Sequence, residues 1–138
     1  MIAYLDSSVI LRLVVGRPEA LAQWDAIERG VVTALVDVEC LRTLDRLRFV
    51  GGASEEAIAI RRQAVTVLLK SVEVVSVTAP ILRRASQPLA VTVGTLDAIN
   101  LATTLLWCDA AGEELVMATH DCALGTATRA MGFTVIGC

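Results

Sequence analysis

Four carboxylates stand apart from the other acids of this chain: Asp6, Glu39, Asp97 and Asp121. Asp6 and Asp121 each follow a short apolar run, whereas Glu39 and Asp97 fall in the first turn or two of helical stretches. Most of the remaining acids sit on what read as exposed helix faces. Each of the four has an ordinary use. Asp6 can close an Asx turn, Glu39 can pair with Arg42 or Thr43, Asp97 can complement a helix dipole, and Asp121 can cap a helix. Taken together they suggest another chemistry. Crowded carboxylates raise each other's pKa and call for a cation. Oxygen-only donors select Mg²⁺, with Mn²⁺ able to substitute, over zinc. Such an ion polarises a phosphodiester oxygen, acidifies a bound water and stabilises the leaving oxygen.

The elements that must carry these residues can be read from the apolar pattern. Residues 2–5 form a strand, and 9–15 a helix or a continued buried segment. Gly16, Arg17 and Pro18 break the chain, and Pro18 suits the first turn of a helix over 19–29, stopped by Gly30. Residues 31–36 read as a short strand or as a loop entering the helix 37–50. Ser54 caps a helix over 54–70, and the β-branched run 72–77 is a strand. Pro80 opens a helix to Ser86, and Thr95 caps a helix over 96–108. A strand at 115–119, a helix at 122–131 and a strand at 133–136 complete the chain. Short apolar strands separated by helices imply an α/β fold with a short, mainly parallel sheet of four to five strands. Ligands of such sheets bind outside the carboxyl ends of the strands. Asp6 and Asp121 are delivered to that edge by strands, Glu39 and Asp97 by helices that begin there.

A length of 138 residues fits one domain, 1–138. The composition, 55% hydrophobic and 4% aromatic, suits helices packed on a buried sheet and excludes disorder. Cys40, Cys108, Cys122 and Cys138 make no C-x-x-C pair, and the single histidine, His120, cannot complete a zinc-ligand spacing. The cysteines read as buried, reduced thiols acting as small hydrophobes. With neither a signal segment nor an 18-residue apolar run, the expected location is the cytoplasm, away from membranes.

Four segments resemble the PIN-domain ribonucleases, and among them the VapC-type toxins of bacterial toxin–antitoxin modules. These are "AYLDSSVIL" (3–11), "DVECLRTLDRLR" (37–48), "TLDAINLATTL" (95–105) and "ATHDCALGTATRAMGFTVI" (118–136). The resemblance implies a three-layer α/β/α fold and a Mg²⁺-dependent endoribonuclease that cleaves single-stranded or looped RNA. It also implies homodimers and a cognate antitoxin that blocks the site with an Arg or an apolar wedge. Asp6 and Asp97 would be the principal metal ligands. Glu39 and Asp121 would complete the acidic site, directly or through water. Ser8 and Thr119 match family hydroxyls near the acids. Some members carry a further acid within a few residues of the Asp97 position; here Asn100 sits three residues on, which puts a second metal in question. It could instead bind a metal-held water or RNA.

A formal charge of −3 runs against nucleic-acid binding, which leaves a basic footprint. Setting the four site acids aside turns the balance to +1. Arg42 and Arg46, at i+3 and i+7 from Glu39, are the arginines best placed to meet phosphate. Two phosphoryl-transfer alternatives fail on single positions. A haloacid-dehalogenase-like phosphatase needs an acid where Ser8 stands, and a receiver domain needs a lysine beyond Lys70. A catalytically silent PIN-like binding module and a DNA-cutting PIN-like nuclease remain open, since nothing in the sequence reads a 2′-hydroxyl.

Overall fold

The computed structural model describes residues 1–17 and 20–138. The chain alternates strands and helices: β1 (Ile2–Leu5), α1 (Ser7–Val15), β2 (Arg29–Thr33), α2 (Leu35–Val50), α3 (Glu55–Leu69), β3 (Glu73–Val75), α4 (Ala79–Ala85), α5 (Thr95–Ala111), β4 (Val116–Ala118), α6 (Cys122–Ala130) and β5 (Val135–Ile136). All five strands are parallel, in the order β3-β2-β1-β4-β5. From β1 the chain builds outward through β2 to β3. It then returns over the sheet through α4 and α5 to place β4 on the other side of β1. The order therefore reverses between β1 and β4, and at such a switch point a parallel sheet opens a crevice at its carboxyl edge.

Alternation along the central strands sorts the core into two layers. Ala3, Leu5 and Val32 pack with Val9, Ile10, Val36, Cys40, Leu44 and Val65 of α1, α2 and α3. Tyr4, Val31 and Met117 pack on the opposite face with Leu101, Trp107 and Leu124 of α5 and α6. Ile81, Ile99 and Ala102 join α4 to α5. The result is a three-layer α/β/α arrangement with both sheet faces covered, which explains why its strands read as unbroken apolar runs.

Three local expectations are corrected. The helix over 19–29 does not form: Pro18 and Glu19 lie outside the described residues, and from Ala20 onward there are bends and a 3₁₀ turn, Trp24–Ala26. The apolar residues Leu21, Trp24 and Ile27 recur every three positions, the period of a 3₁₀ turn, and all three pack on the core. Trp24 N–H bonds to Leu21 O at 3.1 Å and Ile27 N–H to Trp24 O at 3.0 Å, the i→i+3 pattern. Arg29 already belongs to β2, brought beside β1 by the Glu28 N–H bond to Met1 O at 2.9 Å. Second, Thr95 is the first residue of α5 rather than its cap; Gly94 holds the cap position and offers no side chain. Third, of the cysteines only Cys40 is buried, while Cys122 and Cys138 are exposed. Ser54 caps α3 as its sequence implies, accepting from Ala57 N–H at 3.1 Å. Gly16, with φ 74°, ends α1 in the left-handed conformation that only glycine adopts cheaply. Among the described residues, no helix is long and apolar enough to cross a membrane.

Candidate functional site

The apolar run of β1 ends at Asp6, which turns out of the strand to cap α1. Its backbone N–H still bonds to Ala118 O at 3.0 Å, so the ends of β1 and β4 stay in register at the switch point. One carboxylate oxygen, Oδ2, gathers every donor. It accepts from Ser8 N–H at 3.2 Å, from Thr119 Oγ1 at 3.0 Å and from the Ser8 hydroxyl in a short contact. The two hydroxyls are held in turn: Ser8 Oγ accepts from His120 N–H and Thr119 Oγ1 from Asp121 N–H, each at 2.9 Å. These bonds join the β1–α1 corner to the β4–α6 corner and fix the orientation of a buried carboxylate. Among the described residues, none donates to Oδ1.

Asp121 is the N-cap of α6. Its Oδ1 accepts from Ala123 N–H at 2.8 Å and Leu124 N–H at 3.1 Å. Capping uses one oxygen and leaves Oδ2 without a donor from the described residues. Asp97 lies half-buried in the first turn of α5. Burial raises its pKa, as do the charges of Asp121 and Asp6, while the Gly94 backbone opposes the rise. Glu39 reaches in from α2 on the other side of the sheet. Burial pushes its pKa up to about 7, helped by the charges of Asp6 and Asp97 and opposed by a hydrogen bond from Ser7. Ser7 Oγ donates to Glu39 Oε1 at 3.4 Å.

The four acids thus share one electrostatic neighbourhood, although they reach it from four different elements. Among the described residues, no three His, Cys, Asp or Glu side chains stand close enough to hold an ion between them. The donor chemistry nonetheless fits a hard divalent cation. All candidates are carboxylate oxygens, Asp6 presents a fixed free oxygen, and two neighbours carry raised pKa values that a cation would reverse. Mg²⁺ keeps several waters and is bound through one or two carboxylates, so a finished cage is not required.

Around the acids, the sequence-derived candidates divide. Arg42 and Arg46 line a groove of about 340 Å³ with Glu39, Ser7, Val38 and Leu96. Both arginines are exposed, and neither has an ion-pair partner among the described residues. Arg62, by contrast, pairs with Asp45 at 3.1 Å, and Arg48 with Glu55 at 2.6 Å. Asn100 does not face the crevice through its carbonyl. It is 2% exposed, and its Oδ1 accepts from Tyr4 OH at 2.8 Å and Thr33 Oγ1 at 3.4 Å. His120 sits at the corner with its ring nitrogens on the carbonyl oxygens of Gly137 and Ala20, a bracing role. Ser7, Tyr4 and Thr33 were not visible as site neighbours in the sequence. The only available signal was Ser7's place beside Asp6.

The sequence profile of the PIN domain matches residues 3–115. None of the curated proteins matches the chain significantly by sequence. Among solved structures, the chain is similar to one in a toxin–antitoxin complex from Klebsiella pneumoniae, with TM-score 0.67 and 17% identity over 97% of this chain and 95% of that one. It is also similar to a chain of FitAB bound to an IR36 DNA fragment, with TM-score 0.71 and 16% identity over 99% of this chain and 94% of that one. A third likeness is to a chain of VapBC2 from Rickettsia felis bound to a DNA fragment from their promoter, with TM-score 0.63 and 11% identity over 98% of this chain and 97% of that one. At these identities the likeness is one of fold.

Proposed function

The chain belongs to the PIN domain family, a family of nucleases, and we propose that it acts as a single-domain, Mg²⁺-dependent endoribonuclease of VapC-like toxin type. The observation that carries this reading is the buried Asp6 at the switch point. One of its oxygens is locked by Ser8 and Thr119 and the other is free, with Glu39, Asp97 and Asp121 in electrostatic range. Asp6 and Asp97 would hold the ion; Glu39 and Asp121 would contribute directly or through water. When bound, the ion supplies Lewis-acid polarisation of the phosphodiester and acidifies a water. Glu39, ionised once a cation is bound, would help position the attacking water and take its proton. The water oxygen bonds to phosphorus as one P–O ester bond breaks. Arg42 and Arg46 would meet the flanking phosphates along their groove.

The partner reading follows the same line. One of the similar solved structures is a toxin–antitoxin complex, and this supports a cognate antitoxin that covers the acids. Exposed apolar side chains also remain on α2 and α3, with Phe49 78% exposed, Val50 85%, and Ile60 and Val67 61% each. We assign this apolar excess to burial in a homodimer or against the antitoxin. A reduced cytoplasm is the compartment proposed for it.

The test is cleavage of a structured RNA and a single-stranded DNA of matching sequence, with Mg²⁺, with Mn²⁺ and with chelator. RNA should be cut only with metal, and Asp6→Asn should lower kcat/KM by more than about 100-fold. Equal cleavage by Asp6→Asn would sink the site assignment. Absence of cleavage with either metal would favour a silent binding module, and DNA cut as fast as RNA would overturn the RNA assignment.

A further inference from the structure

We infer that Asn100 is a positioning residue that holds the three carriers of Asp6, Glu39 and Asp97 in register, through one buried amide oxygen. The inference rests on the metal-site reading above and adds a residue that touches none of the reacting groups.

Asn100 lies three residues after Asp97, one turn along the same face of α5. Tyr4 lies in β1, two residues before Asp6, which leaves the end of that strand. Thr33 is the last residue of β2, which passes through Ala34 directly into α2, the carrier of Glu39. The hydroxyls of Tyr4 and Thr33 converge on Asn100 Oδ1, at 2.8 and 3.4 Å. An amide carbonyl oxygen has two lone pairs, and here each meets one hydroxyl. The bonded groups are nearly fully buried: Tyr4 and Thr33 are 1% exposed and Asn100 2%. Burial strengthens such bonds and makes an unpaired member costly.

The residue type follows from the neighbourhood. An apolar side chain here would remove the acceptor that Tyr4 and Thr33 share and leave the buried Tyr4 hydroxyl only Thr33 to bond. An aspartate would accept both bonds but add a charge behind acids that already repel one another. The neutral amide supplies the acceptor without the charge. Repulsion among Asp6, Glu39 and Asp97 pushes β1, α2 and α5 apart, and the Tyr4–Asn100–Thr33 bonds join those same elements just beneath the acids.

The test measures Mn²⁺ affinity by calorimetry, with stability followed separately by thermal melting. Asn100→Leu keeps the volume and removes the acceptor; Tyr4→Phe removes one hydroxyl. Each should weaken Mn²⁺ binding by about tenfold at temperatures where the protein is fully folded. The double variant should be no worse than the weaker-binding single, because both remove the same bond. Val65→Ala, a core change on α3, should lower the melting temperature and leave Mn²⁺ affinity unchanged. If Asn100→Leu fails to fold, Tyr4→Phe and its comparison with Val65→Ala decide the matter. Variants that melt earlier but bind Mn²⁺ like the wild type overturn this inference alone and leave Asn100 a packing residue. Wild-type protein that takes up no Mn²⁺ overturns the metal-site reading, and this inference with it.

Discussion

Glu39 is where the electrostatics of the crevice can be measured. Its pKa rises from 4.5 to about 7, through burial first and then the charges of Asp6 and Asp97. Between those two values the folded protein binds more protons than the unfolded chain. Stability therefore falls as pH rises through that window, and the full penalty is present above it. The raised pKa of Asp97 acts in the same direction. Metal-free protein should melt at a lower temperature at pH 8 than at pH 5.5, and Glu39→Gln should flatten that difference. Cation binding must displace the Glu39 proton, so Mn²⁺ affinity should rise about tenfold from pH 6 to pH 8, with proton release seen by calorimetry in two buffers. An affinity flat across that range would show that Glu39 stands outside the ion's reach. Asp6 and Asp121 were legible in the sequence because a carboxylate at the end of an apolar strand is unusual, and Glu39 and Asp97 because their helices begin at the same sheet edge. The groups that orient them were not. Whether Ser7 meets Glu39, or Tyr4 meets Asn100 across 96 positions of chain, depends on packing between distant elements.

Among the secondary elements, the most informative separation is at the start of α6, where one residue carries two duties. Asp121 caps the helix through Oδ1 and raises the pKa of Asp97 by its charge. Asp121→Asn keeps an acceptor for Ala123 and Leu124 N–H and removes the charge. Asp121→Ala removes both. Denaturant unfolding should show Asp121→Ala less stable by about 1 kcal/mol and Asp121→Asn within a few tenths of the wild type. If the charge serves the site, both variants should lose RNA cleavage; an Asp121→Asn protein of full activity would leave the residue a cap alone. Capping by Ser54 and Asp121 was readable locally, as were the strands and the helices with their own start and stop residues, whereas the Thr95 cap was not. Nor was the segment after Gly16. Its Leu21, Trp24 and Ile27 fit a helix loosely and a 3₁₀ turn well, and the need to bring β2 parallel to β1 decided between them. The strand-or-loop ambiguity at residues 31–36 had the same source. Val31 and Val32 are buried on opposite faces, so neither a helical nor an alternating pattern shows in the sequence.

Taken whole, the molecule carries a formal charge of −3 yet is proposed to bind a polyanion, so the contact must be local. The groove beside Glu39 and the ion pairs together indicate where it lies. Arg29, Arg48 and Arg62 each pair with an acid, whereas Arg42 and Arg46 stand unpaired among the described residues, on the groove that ends at Glu39. A guanidinium already neutralised by a carboxylate releases few counterions when a phosphate arrives; a free one releases its full share. Each phosphate contact on a single strand contributes about 0.7 to the slope of log affinity against log salt. In metal-free buffer, where no cleavage occurs, RNA affinity measured by fluorescence anisotropy between about 50 and 200 mM salt should fall steeply. Arg42→Ala and Arg46→Ala should each reduce the slope by about 0.7, and the double variant by about twice that, since exposed arginines with separate phosphates act independently. Arg62→Ala should leave the slope unchanged, although breaking its pair with Asp45 on α2 costs up to about 1 kcal/mol of stability. Slopes equal to the wild type in the Arg42 and Arg46 variants would move the RNA path off this groove. The positive balance left once the site acids are set aside would then have to act through other arginines outside the ion pairs of the described residues, such as Arg12, Arg61 and Arg83.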